Sequence, residues 1–153
     1  MTDKDYLKQA VEQAKISVKK GGFPAGAVLV KSDQVIAEGV SLGSILHDPT
    51  SHAETSSVRQ ACQKLQTTDL SGCVLYASLQ PCVMCYCSAN WARVSRIVYG
   101  CQKTEAMIQK EYYEGQHDLQ NINTKSTHHI ELMYLPDFES EMLELITEWE
   151  QSL

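Results

Sequence analysis

Apolar residues recur at helical spacing from the start of the chain, at Tyr6, Leu7, Ala10, Val11, Ala14 and Val18, and Gly21-Gly22 ends that helix. Ala25 to Val30 is a short apolar run rich in β-branched residues. Val35 to Gly39 follows it across the polar turn Ser32-Asp33-Gln34, so the pair reads as a hairpin. Asp48-Pro49-Thr50-Ser51 supplies a helix start, and Ala53 to Leu65 is compatible with a helix. Cys73 to Ser78 is a buried-strand run. Pro81 opens a helix reaching about Arg93, since proline suits the first helical turn. Arg96 to Gly100 is another strand, and beyond it the pattern weakens until Ile130 to Tyr134. Phe138, Met142, Leu145, Ile146 and Trp149 then form an amphipathic terminal helix. Strands alternating with helices predict an α/β fold, with helices on both faces of a mixed sheet.

The length of 153 residues suits one domain, and neither a repeat nor a Pro/Gly/Ser-rich linker divides it, so residues 1–153 are expected to form a single domain. Its apolar and charged shares, 43% and 21%, are those of an ordinary globular protein. No apolar run approaches the roughly 20 residues needed to cross a bilayer. The polar start Met1-Thr2-Asp3-Lys4-Asp5 does not read as a secretory signal, so the cytoplasm is the expected compartment. Three of the six cysteines, Cys82, Cys85 and Cys87, crowd together. Such a cluster points to metal or catalysis rather than to a disulfide scaffold. Cys62, Cys73 and Cys101 read as small buried hydrophobes. The net charge is −6, and no Lys or Arg follows Lys125. That makes the last segment a poor surface for phosphates and argues against a nucleic-acid partner.

Two segments carry chemistry: His52-Ala53-Glu54 and Pro81-Cys82-Val83-Met84-Cys85. One imidazole and two thiolates are good zinc ligands. Zinc prefers four, so a water position stays open, as in catalytic rather than structural sites. Both segments stand at predicted helix starts, where the helix dipole favours thiolates. His52 and Glu54 can share a site only off the helix end. There a carboxylate that is not a ligand suits general acid–base work.

These motifs, His-x-Glu and Pro-Cys-x-x-Cys, are the signature of the zinc deaminases. With Pro24 to Val30, Asp48-Pro49-Thr50, Trp91-Ala92-Arg93 and Ile97 to Gly100, the chain resembles the cytidine/deoxycytidylate deaminase superfamily, in its branch of small purine and cytosine deaminases. The resemblance covers about residues 5 to 101. It implies a three-layer α/β/α sandwich with a five-stranded mixed sheet, in a homodimer or larger oligomer. It also implies that His52, Cys82 and Cys85 hold zinc and that Glu54 shuttles protons from water to the ring and then to the departing amine. By the same likeness the Ala53 amide binds a ring atom, and the Gln80 carbonyl lies near the leaving group. Ser41 stands where relatives place a base-binding asparagine, and Gln80 where Glu, Ser or Thr is commoner. A shorter hydroxyl cannot reproduce a bidentate amide contact, so Ser41 bears on substrate identity.

Other residues have plainer readings. Cys87 as a fourth ligand would close the site, but two positions past Cys85 it should face another side of the helix. His47 is expected on a loop surface, with the pocket mouth as the alternative, and His117, His128 and His129 are expected at the surface. Tyr112-Tyr113 reads as a packed face, with a substrate lid as the alternative. By analogy with guanine deaminases, Glu111 or Glu114 reads the purine, and the terminal helix completes a site in its own or a neighbouring subunit. The expected activity is hydrolytic deamination of a free base or small nucleoside, best of all guanine, within purine metabolism. The alternatives are a tRNA-specific adenosine deaminase and a cytosine or cytidine deaminase. From another class stands a catalytically silent, zinc-stabilised binding module, against which the intact Glu54 argues.

Overall fold

The computed structural model describes residues 1–153. Thr2 starts α1 (Asp3–Lys19) with a reciprocal cap. Its hydroxyl accepts from the Asp5 amide while the Asp5 carboxylate accepts from the Thr2 amide. The apolar stripe of α1 buries Tyr6, Leu7, Ala10, Val11 and Ala14. The helix lies against β1 (Phe23–Lys31) so closely that a Cβ at Gly26 would stand 2.2 Å from the Ala14 nitrogen. Ser32 and Asp33 take left-handed φ values of 50° and 59°, and this two-residue turn leads into β2 (Gln34–Ser41).

A short helix α2 (Gly43–Leu46) precedes α3 (Ala53–Leu65), and β3 (Val74–Ala77) follows. Next come α4 (Val83–Trp91), β4 (Arg96–Tyr99), α5 (Glu105–Gln109) and α6 (Leu119–Lys125), then β5 (Glu131–Tyr134) and α7 (Glu139–Gln151). The five strands lie in the order β2-β1-β3-β4-β5. β1 runs antiparallel to β2 and β3, whereas β3, β4 and β5 are parallel. Parallel neighbours require crossovers, which α4 provides between β3 and β4.

Alternation along the strands divides the core. Val28, Val30, Tyr76 and Val98 pack with Tyr6, Leu7 and Ala10 of α1. Ala27, Leu29, Leu75, Ala77 and Ile97 belong to the larger cluster, with Ala53, Val58 and Ala61 of α3 and Tyr86 and Ala89 of α4. The mixed sheet therefore lies between helical layers. No helix is long and apolar enough to cross a membrane.

Two elements depart from the pattern-based reading. The helix expected from Pro81 begins at Val83, because Cys82 stays extended (φ −73°, ψ 172°) as its N-cap residue. The stretch after Gly100 holds α5 and α6, which are too short to show an amphipathic period. α7 buries Met142 and Ile146.

Candidate active site

The site forms where α3 and α4 begin. His52 is the N-cap residue of α3 and Cys82 that of α4, and neither side chain is used to cap its own helix. Both are free to project past the helix ends. His52 Nδ1 lies 3.5 Å from Cys82 Sγ and 3.6 Å from Cys85 Sγ. Zinc bonds of about 2.05 Å to nitrogen and 2.3 Å to sulfur at a tetrahedral angle require an N···S edge of roughly 3.6 Å. The three residues thus fit a zinc ion, with ligand atoms all within 4.8 Å of one another. The Thr55 hydroxyl donates to Cys85 Sγ at 3.2 Å, a supporting bond of the kind that orients metal ligands. Cys87 does not join the group and instead packs, half-buried, against the core.

The electrostatics agree with a metal-binding pocket. Hydrogen bonding from Cys85, and then from His52, lowers the Cys82 thiol to about 6, while burial opposes it. The same partnership raises Cys85, so one thiolate forms at its neighbour's expense until a cation arrives. His52 is raised, chiefly by its bond to Cys82. Glu54, only 7% exposed in the first turn of α3, is pushed up to about 7 by burial and then by the Cys82 charge. A carboxyl poised there can both take and give a proton near neutral pH.

Around these groups opens a cavity of about 700 Å³, within the usual range for small-ligand sites. Ser41, His52, Glu54, Gln80 and Cys82 line it, as do Glu111 and Glu114. Ala53, at the first position of α3, has an amide without an intrahelical partner. The Gln80 carbonyl accepts from the Tyr113 hydroxyl at 2.7 Å, and its side-chain oxygen accepts from the Lys103 amide at 3.0 Å. Ser41 is fixed through its backbone, its amide donating to the Ser17 hydroxyl at 3.0 Å. His117, His128 and His129 lie outside the cavity lining, as does His47.

Sequence reasoning passed over an aromatic wall. Phe23, Tyr112 and Trp149 line the cavity and meet edge to face, with ring centroids 5.1 to 5.9 Å apart. Trp149 and Leu153 bring the end of the chain to the cavity within the same protomer. Glu150 secures that arrangement, accepting from Tyr112 Oη at 2.6 Å and from Lys110 Nζ at 2.7 Å. The helical spacing of Trp149 was visible in the sequence, but its partners were not. Tyr113 and Glu114 also carry more than packing. Burial works to raise Glu114, yet the Met84 and Val83 amides outweigh it and hold its carboxyl below the usual value.

A half-buried histidine and two buried cysteines beside a buried glutamate define a metal-assisted hydrolytic centre. Residues 1–101 match the cytidine and deoxycytidylate deaminase zinc-binding region, and the chain belongs to that family of zinc-binding hydrolytic deaminases. It is similar to the guanine deaminase of Bacillus subtilis (strain 168), being 41% identical over 107 residues that span 69% of each chain. It also resembles the tRNA-specific adenosine deaminase of Aquifex aeolicus (strain VF5), with 37% identity over 94 residues, 61% of this chain. That match covers 62% of the Aquifex protein, less than two thirds of its length. Among solved structures, a tRNA:A34 deaminase superposes with a TM-score of 0.79 at 30% identity, covering 93% of this chain and 99% of the other.

Proposed function

We propose that this protein hydrolyses the exocyclic amine of a free purine base, guanine or a close relative, releasing ammonia. One observation carries the choice of substrate: no Lys or Arg lines the cavity, while Glu54, Glu111 and Glu114 do. Such a wall repels phosphates and suits a neutral base that donates hydrogen bonds. The Phe23–Tyr112–Trp149 wall offers flat apolar surface to a planar ring.

In this reading His52, Cys82 and Cys85 hold zinc. When bound, the metal lowers the pKa of water to about 7 and so supplies a nucleophile at neutral pH. The chain's own residues do the rest. Glu54 takes one proton from the attacking water and delivers it to the ring nitrogen next to the reacting carbon, then moves the second proton, from the hydroxyl just added to that carbon, to the departing amine. Water adds oxygen, the carbon–nitrogen bond breaks, and the products are the oxo base and ammonia. The Ala53 amide and the Ser41 hydroxyl hold the base edge, and the Gln80 carbonyl accepts from the amine. The aromatic wall and α7 keep bulk water away.

Residues 1–153 act as one deaminase domain, with residues 102–153 supplying much of the cavity wall. The protein works as a cytoplasmic homodimer in purine metabolism. Supporting this reading are the similarity to a guanine deaminase and the absence of any Lys or Arg after Lys125. Ammonia release should be measured with zinc-loaded protein on guanine, adenine, cytosine, their nucleosides and a tRNA anticodon stem-loop. Turnover confined to free purines supports the proposal. Adenosine-to-inosine conversion in the stem-loop, without small-molecule turnover, rejects it in favour of the tRNA-editing alternative.

A further inference from the structure

The turn that carries both cysteines is gripped from outside by two consecutive residues. Tyr113 donates its hydroxyl to the Gln80 carbonyl at 2.7 Å. Glu114 accepts from the Val83 amide at 3.1 Å through one carboxylate oxygen and from the Met84 amide at 3.0 Å through the other. Between those anchors lie Pro81 and Cys82, and Cys85 follows one residue later. The first turn of α4 would otherwise leave these amides without intrahelical partners. Cys82, the N-cap residue, does not satisfy them with its thiol, which faces His52 instead. A carboxylate about 30 positions away in sequence takes that role.

The chain reaches this position by a left-handed turn. After α5, Glu111 adopts φ 62°, and the Tyr112 amide donates back to the Met107 carbonyl at 2.9 Å. That is a helix-terminating geometry usually given to Gly or Asn, and a glutamate adopts it at some cost. The reversal aims Tyr113 and Glu114 at the cysteine turn. Lys103 tightens the same region from the other side, its amide donating to Gln80 Oε1 at 3.0 Å.

We propose that Tyr113 and Glu114 are positioning residues. They hold the Gln80–Met84 backbone in the geometry that places Cys82 and Cys85 for metal, and so set the affinity and shape of the metal centre. The carboxylate works in the same direction twice: it fixes the α4 amides, and its negative charge near the site favours a bound cation. Groups that orient metal ligands from outside are typically worth about 10–100-fold in metal affinity.

The test compares zinc-loaded wild type with Glu114→Ala, Glu114→Gln and Tyr113→Phe. Zinc affinity is read by chelator competition, site geometry by the visible spectrum of the cobalt-substituted protein, and Val83 and Met84 protection by amide hydrogen exchange. Glu114→Ala should weaken zinc by about 10–100-fold. It should also alter the cobalt spectrum and speed exchange at Val83 and Met84. Glu114→Gln, which keeps one acceptor oxygen without the charge, should fall between it and wild type. Tyr113→Phe removes one hydroxyl, should cost a few-fold, and reports on the clamp even if Glu114→Ala fails to fold. Wild-type zinc affinity and an unaltered cobalt spectrum in the folded variants, with only a lowered Tm, would make both residues merely structural and overturn the proposal. A wild type that binds no zinc would sink the metal-site reading and the clamp together, whereas unchanged variants sink the clamp alone.

Discussion

Gly39→Ala is the substitution that should show how tightly this site depends on backbone packing. Gly39 lies in β2 beneath the start of α3, and a Cβ there would stand 2.0 Å from the Ala53 carbonyl oxygen and 2.4 Å from Ser57 Oγ. Ordinary contact begins near 3.4 Å, and the nearer atom is backbone, so no side-chain rotation relieves the clash. The first turn of α3 must withdraw from β2 by about an ångström or more. Overpacking of this kind typically costs about 1–3 kcal/mol, and at this size each kcal/mol lowers Tm by about 2–4 °C. The catalytic loss should be larger in proportion, because the turn that moves carries His52 and Glu54, whereas Cys82 and Cys85 stay on α4. A misplacement near 1 Å in a catalytic constellation can reduce rate about 100-fold. Thermal unfolding and ammonia release on one preparation check both figures. A variant with wild-type Tm and wild-type turnover would refute the packing argument.

Other expectations are more direct. Glu54→Gln should keep the fold and the zinc but lose about 10²–10⁴-fold in turnover, because an amide cannot relay protons; a near-normal rate removes Glu54 from the mechanism. Arg96 hydrogen-bonds Asp3 and holds its carboxyl below the usual value. A lowered folded-state pKa means the stabilisation is full above the unfolded value of about 3.9 and is lost as pH falls through the folded one. Asp3→Asn should therefore lower Tm at pH 7 by a small amount, and the gap should begin to narrow below about pH 3.9 and close only as pH falls through the lowered folded-state value. Deleting residues after Asp137 removes Trp149 from the cavity wall, takes Glu150 away from Tyr112, and strips the buried Met142 and Ile146 from the core. Solubility and turnover should both fall, and full activity in a soluble truncated protein would deny α7 any role.

The framework was legible where one physical signal dominated. The helical period of α1, the Ser32-Asp33 turn and the apolar β3 and β4 runs each point to the element that forms, since burial of one face leaves little choice of register. His52, Glu54, Cys82 and Cys85 stood out because metal chemistry restricts residue type and spacing. The cavity's outer wall was not legible. Glu111 sits at a left-handed position where sequence offers no glycine to mark it, so the turn that delivers Tyr113 and Glu114 left no trace. The Phe23–Tyr112–Trp149 contact joins residues more than 120 positions apart at its extremes, which periodicity cannot register. Thr55 is hidden for another reason: a lone threonine in a helix announces nothing until its hydroxyl meets Cys85 Sγ.

The central claim is that bound zinc and a small purine meet in this cavity. The measurement that tests it most directly is ammonia release from guanine, followed while the protein is stripped of metal and then reloaded with known amounts of zinc. Turnover should vanish on stripping, return in proportion to added zinc, and saturate at one ion per chain. Turnover indifferent to stripping, or none on guanine at full zinc occupancy, would contradict the account.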